Sequence, residues 1–145
     1  MEAMGWGRYP KATADLIEPA DPQSLQKIVA SQKKSASCIS RGAGRSYGDS
    51  ALAGQLIGSR FLDSFLALDE QQQTLRCGAG VKLGDILKVC LPRGLFLPVL
   101  PGTKAVSVGG AIAADVHGKN HHRDGSFCQH VIQISLVLAS DRKST

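Results

Sequence analysis

The stretch Arg41-Gly-Ala-Gly-Arg-Ser-Tyr-Gly-Asp49 constrains this chain more than any other. Glycines at Gly42, Gly44 and Gly48 let the backbone take positive φ and bring its N–H groups to a guest with no Cβ in the way. Consecutive N–H groups facing one concavity form an anion nest suited to phosphate. Arg41 and Arg45 can add charge-assisted hydrogen bonds. Two readings stand open at this point, a diphosphate-binding loop and an ordinary strand-to-loop turn with solvated arginines. The stretch is not a dinucleotide fingerprint of the Gly-x-Gly-x-x-Gly type, because Tyr47 stands where the third glycine belongs. Nor does Gly-Lys-Ser/Thr follow, so it is not a P-loop.

Around this loop the chain predicts alternating elements. Residues 1–20 read as an irregular anchoring segment, with Trp6 as a packing residue. Asp21-Pro22 reads as an N-cap and first-turn proline. Leu25, Ile28 and Val29 then continue a helix to about residue 33, which feeds a short strand at 38–40 in a βαβ-like start. Short apolar segments follow at 55–57 and 61–68, with a strand at 73–77 across a turn at 69–72. Leu83, Ile86, Leu87, Cys90 and Leu91 fall on one helical face that Pro92-Arg93-Gly94 ends. Residues 131–139 read as a buried strand and 140–145 as the turn after it. The chain then stops where a partner strand is expected, so it reads as a piece of a longer protein.

A second glycine-rich region lies at Ser107-Val-Gly-Gly-Ala-Ile-Ala-Ala-Asp115, after Leu97-Pro-Val-Leu-Pro-Gly-Thr103. Gly109 and Gly110 open a small-residue helix whose N-terminus favours nearby negative charge. His117, His121 and His122, with Asp115 and Asp124, raise the question of a metal site. Gly118 and Asn120 disfavour the helix that would align His117 with His121. No metal is expected; a polar active-site rim is the better reading, with a solvated loop as the alternative.

Composition narrows the partners. The net charge of +5 comes from scattered basic residues, and aromatics make up only 5% of the chain, so a base-stacking nucleic-acid platform is not expected. Cys38, Cys77, Cys90 and Cys128 lack metal or disulfide-framework spacing and read as reduced thiols. No signal peptide or membrane span is visible, so a soluble chain is expected.

These two regions, together with Asp115-Val-His-Gly-Lys-Asn-His-His122, resemble the FAD-binding domain of the vanillyl-alcohol-oxidase/PCMH flavoprotein family. The resemblance runs from about Gly5 to Ala139. It implies an α+β, PCMH-type FAD-binding domain (its N-terminal part) at residues 21–145, with small mixed sheets flanked by helices.

By that resemblance Arg41, Gly42, Ala43, Gly44, Arg45, Ser46, Tyr47 and Gly48 hold the diphosphate. Gly102, Ser107, Val108, Gly109 and Gly110 line the cofactor, and Ala114, Val116 and His117 lie near its ring system. Members with covalent FAD carry a histidine in the first loop; Arg45 stands there in this chain, which implies non-covalent FAD.

The nearest branch implies a bacterial oxidoreductase acting on a secondary hydroxyl of a sugar or a polyprenyl-phosphoryl pentose, a cell-wall arabinan precursor. Tyr47, His117 and Lys119 would then serve as catalytic-face residues, with no general base assigned. The alternatives are an alditol or sugar-lactone oxidase of the same fold, or a module that binds a phosphorylated ligand without redox chemistry. The resemblance also implies a reductase partner and a cytoplasmic location, at most peripheral to the inner membrane. A C-terminal substrate domain would lie beyond Thr145, so this chain alone is expected to bind FAD weakly and to be catalytically silent.

Overall fold

The computed structural model describes residues 1–32 and 37–138. Among the described residues, three small sheets and four short helices build the fold. Strand β1 (Glu2–Met4) pairs antiparallel with β2 (Lys11–Thr13). Strands β3 (Asp15–Ile17), β4 (Cys38–Arg41) and β5 (Gln55–Gly58) form a parallel sheet in the order β3-β5-β4. Strands β6 (Phe65–Asp69) and β7 (Thr74–Cys77) make an antiparallel hairpin.

Helix α1 (Pro22–Ser31) begins where the sequence predicts. The Asp21 carboxylate accepts from the Ser24 amide at 2.7 Å, the Ser24 hydroxyl accepts from the Asp21 amide at 3.1 Å, and Pro22 fills the first turn. This helix carries the chain over from β3 to β4, the long connection that parallel strands require. The helix ends at Ser31, where Gln32 turns extended as its C-cap, just short of the predicted residue 33, which lies outside the described residues. Central strand β5 buries Leu56 completely, and Leu56 packs with Ala3 and Ala14 in one core.

Helix α2 (Leu83–Cys90) lays Leu83, Ile86 and Cys90 into a second core with Val81 and Ala111. A 3-10 turn at Leu91–Arg93 and Gly94 at φ 70° end it, as Pro92 and Gly94 predict. Helices α3 (Val108–Ala113) and α4 (His121–Asp124) and a 3-10 turn at Phe127–His130 follow.

Two expectations change. Residues 1–20 are not irregular, since they contribute β1, β2 and β3. Their inward residues are largely alanines, Ala3 and Ala14, so the short strands carry little hydropathy contrast to read. Residues 131–138 join none of the three sheets, and Ile132 is 83% exposed rather than buried. Leu136 makes a lone β-bridge, but strand propensity measures fit to a neighbouring pleated surface, and none of the three sheets among the described residues supplies one here. The predicted turn at 140–145 lies outside the described residues.

Candidate functional site

The first glycine loop leaves β4 directly. Its turns need positive φ, which Gly44 and Gly48 take at 65° and 61°. Among the described residues, none of the amides of residues 42–48 donates to a protein acceptor. Seven consecutive N–H groups beside two left-handed glycines are thus without a protein acceptor, the donor set that an anion nest requires.

Arg41 does not reach outward from this loop. Its guanidinium donates to the carbonyl oxygens of Met4 at 2.7 Å and Ala51 at 3.1 Å, bracing the loop against the N-terminal segment. Arg45 is exposed, with its guanidinium 4.8 Å from the centre of the Trp6 ring. Trp6 is therefore half-exposed beside the loop rather than a core packing residue. Tyr47 is 72% exposed on the same loop.

The second glycine-rich region abuts the first. A Cβ at Gly42 would overlap Oγ of Ser107 and lie 3.9 Å from the Gly110 amide nitrogen. The two regions named from sequence therefore meet at one joint.

Their chemistry differs. Ser107 is 2% exposed, and its hydroxyl caps α3 by accepting from the Gly110 amide at 3.3 Å. The Val108 amide donates to Val81 and the Gly109 amide to Ala79, each at 2.8 Å. The start of α3 thus has its first amides engaged inside the protein. The expected pull of this helix end on a nearby anion gives way to tight packing, in which Gly109 lets the helix close on the Ala79 carbonyl. Residue Gly102 has open space where a Cβ would be.

An open cleft of about 540 Å³ lies beyond α3, lined by Leu100, Pro101, Gly102, His117, Gly118, Lys119 and His121. His117 is set by an antiparallel bridge to Ser126, and the Phe127 amide donates to Val116 at 2.8 Å. Asp115, at φ 39°, accepts from the Cys128 amide at 2.9 Å. That bond, with help from Ser126 and Cys128 side-chain groups, holds the Asp115 carboxyl below its ordinary value of 3.8. Desolvation and the Asp115 carboxylate push the Cys128 thiol up.

The rings of His117 and His121 lie 4.9 Å apart, and Nδ1 of each sits near the Gly118 carbonyl oxygen, at 3.4 and 3.2 Å. A reverse turn brings these rings together, not a shared helical face. No group of three or more His, Cys, Asp or Glu among the described residues is arranged to hold a metal.

His117 and Lys119 therefore share a cleft, whereas Tyr47 is not among the groups lining it. Ala114 is exposed at the end of α3, and Val116 packs on the second core. His121, read from sequence as part of a polar rim, does line the cleft, whereas sequence reasoning missed Asn120 as a brace beside it. The Asn120 amide donates to the Pro98 carbonyl at 3.0 Å and to the Asp124 carboxylate at 2.7 Å. It also missed the contact of residues 4–7 with the first loop, for which Gly5-Trp6-Gly7 was the available signal.

The profile of the FAD-binding domain family matches residues 13–142. The chain belongs to that family. It is 42% identical over 141 residues to decaprenylphosphoryl-beta-D-ribose oxidase of Mycolicibacterium smegmatis, covering 94% of this chain and 31% of that protein. It is 26% identical over 136 residues to alditol oxidase of a Streptomyces species, covering 92% of this chain and 32% of that one. This FAD-binding chain thus spans about a third of the length of these relatives. Among solved structures, an alkyldihydroxyacetonephosphate synthase superposes with a TM-score of 0.75 at 17% identity, over 87% of this chain and 25% of that one. The fold is that of PCMH-type FAD-binding proteins, and the cofactor of the domain is FAD. The seven unengaged amides fit its diphosphate, and the joint of Gly42 with Ser107 sets the loop beside the start of α3.

Proposed function

We propose that this chain forms the FAD site of an oxidoreductase acting on a secondary hydroxyl of a polyprenyl-phosphoryl pentose. The observation that carries the proposal is the pairing of an amide-lined glycine loop with a separate cleft holding His117 and Lys119. The 42% identity to a decaprenylphosphoryl-ribose oxidase, against 26% to an alditol oxidase, favours the lipid-linked pentose over a free alditol.

FAD, when bound, supplies the hydride acceptor at its N5 atom. The amides of residues 42–48 bind the diphosphate, and the braced Arg41 keeps them converged. Exposed Lys119 presents an ammonium to an anionic or alkoxide-like oxygen in the cleft. His117, anchored by the Asp115–Cys128 and His117–Ser126 contacts, orients the hydroxyl.

The FAD is held non-covalently. The loop position that bears an attaching histidine in other members is Arg45, which lies over the Trp6 ring. Precipitating the flavin-loaded chain with acid should leave the flavin in the supernatant, and flavin in the pellet would refute non-covalent binding. In the longer protein that includes this chain, Lys119→Ala should lower turnover of a polyprenyl-phosphoryl ribose at least tenfold, by analogy with loss of one charge-assisted contact of about 1.5–3 kcal/mol. Unchanged turnover removes Lys119 from the site.

A further inference from the structure

We propose that Trp6 is a positioning residue of the FAD site, part of an N-terminal clasp that holds the diphosphate loop in its binding shape. The inference rests on reading residues 42–48 as the diphosphate loop.

Three ties join the clasp to that loop. The Trp6 amide donates to the Ser46 carbonyl at 2.8 Å. Arg41 donates to the Met4 carbonyl at 2.7 Å. The Trp6 ring holds the Arg45 guanidinium at 4.8 Å by a cation–π contact. The fit is close: a Cβ at Gly5 would lie 2.5 Å from the Ser46 carbonyl oxygen and 3.2 Å from that of Gly48, and one at Gly7 would lie 3.7 Å from the Tyr47 ring. Residues 5 and 6 therefore converge on the Ser46 carbonyl, and residue 7 lies against Tyr47.

The loop needs this support. Among the described residues its amides make no bonds to the protein, so its shape rests on its carbonyls, its side chains and the segments they touch. Fixing the backbone of a residue costs about 1–2 kcal/mol of conformational entropy, which a ligand must offset unless the protein has already done so. The carbonyls of Ser46 and Gly48 face the clasp, so the N–H groups of the same trans peptides, on Tyr47 and Asp49, point away from it. Restraint of Arg45 by the indole also keeps a cation at the rim of the nest.

The test compares the unsubstituted chain with Trp6→Ala, Trp6→Phe and Gly44→Ala. FAD affinity is read by flavin anisotropy, loop order by amide relaxation of residues 42–48, and global stability by urea unfolding. Trp6→Ala should weaken FAD binding about three- to fivefold, the size of an exposed cation–π contact. It should lower the order of the loop amides while leaving the urea midpoint in place, and Trp6→Phe should restore most of both. Trp6 is the one tryptophan of the chain, so its emission should also quench along the same binding curve.

Unchanged affinity and unchanged loop order in Trp6→Ala overturn the clasp. So does an affinity loss that follows a general loss of stability and that Trp6→Phe does not restore. Gly44→Ala separates the two ideas: if it binds FAD as the unsubstituted chain does, the reading of the loop itself fails.

Discussion

The two glycine-rich regions look alike in sequence and do opposite work. In residues 42–48 the amides have no protein partners among the described residues. In residues 107–110 the glycines let backbone approach backbone, and the first amides of α3 bond to Ala79, Val81 and Ser107. Glycine richness by itself says only that close approach is possible. Whether a ligand or another part of the chain does the approaching depends on what lies opposite. Gly42 belongs to both cases, since it opens the ligand loop and packs on Ser107.

That division predicts a graded set of outcomes. The largest effect should come from Gly42→Ala, whose methyl group meets the buried Ser107 hydroxyl and forces the α3 cap aside. It should cost on the order of 2 kcal/mol in urea unfolding and abolish measurable FAD binding in a titration. Normal stability with lost binding would show that the joint serves only the ligand.

Next is Gly44→Ala, at φ 65° and close against the Arg41 guanidinium. It should lower stability by about 1–2 kcal/mol and weaken FAD binding about tenfold. Ser107→Ala should cost about 1 kcal/mol of stability with at most a twofold change in FAD affinity, because this hydroxyl serves the helix. If Ser107→Ala weakens FAD more than Gly44→Ala, the contrast between the two regions collapses.

The smallest effect should be in acid. The folded Asp115 carboxyl titrates below its ordinary value of 3.8, chiefly because of the bond from the Cys128 amide. A carboxylate with a lowered folded value contributes stability that is present above the ordinary value and lost as pH falls through the folded one. Stability of the unsubstituted chain should therefore fall slightly more steeply below about pH 4 than that of Asp115→Asn. Identical acid limbs would show that the Asp115–Cys128 tie does not hold the His117 segment.

Much of this was legible in the chain itself. Asp21-Pro22 marked the start of α1, the spacing of Leu83, Ile86 and Cys90 marked α2, and the glycines of residues 42–48 marked a turn able to present amides. These signals are local, since caps, helical periodicity and positive φ act within a few residues. The helix feeding a strand at 38–40 announced a βαβ-like start, but β3, the strand before that helix, lies in the segment read as irregular.

Only the tertiary structure decided which chemically equivalent groups remain available. Arg41 and Arg45 are the same residue type four positions apart, yet one braces Met4 and Ala51 while the other lies over Trp6. His117 and His121 meet through a turn, although their spacing suggested a helical pairing that glycine forbids. Sequence determines which backbone shapes and side-chain chemistries are within reach. The partners that occupy a donor, or leave it to a ligand, come from segments far apart in the chain, because hydrogen bonding and packing act through space.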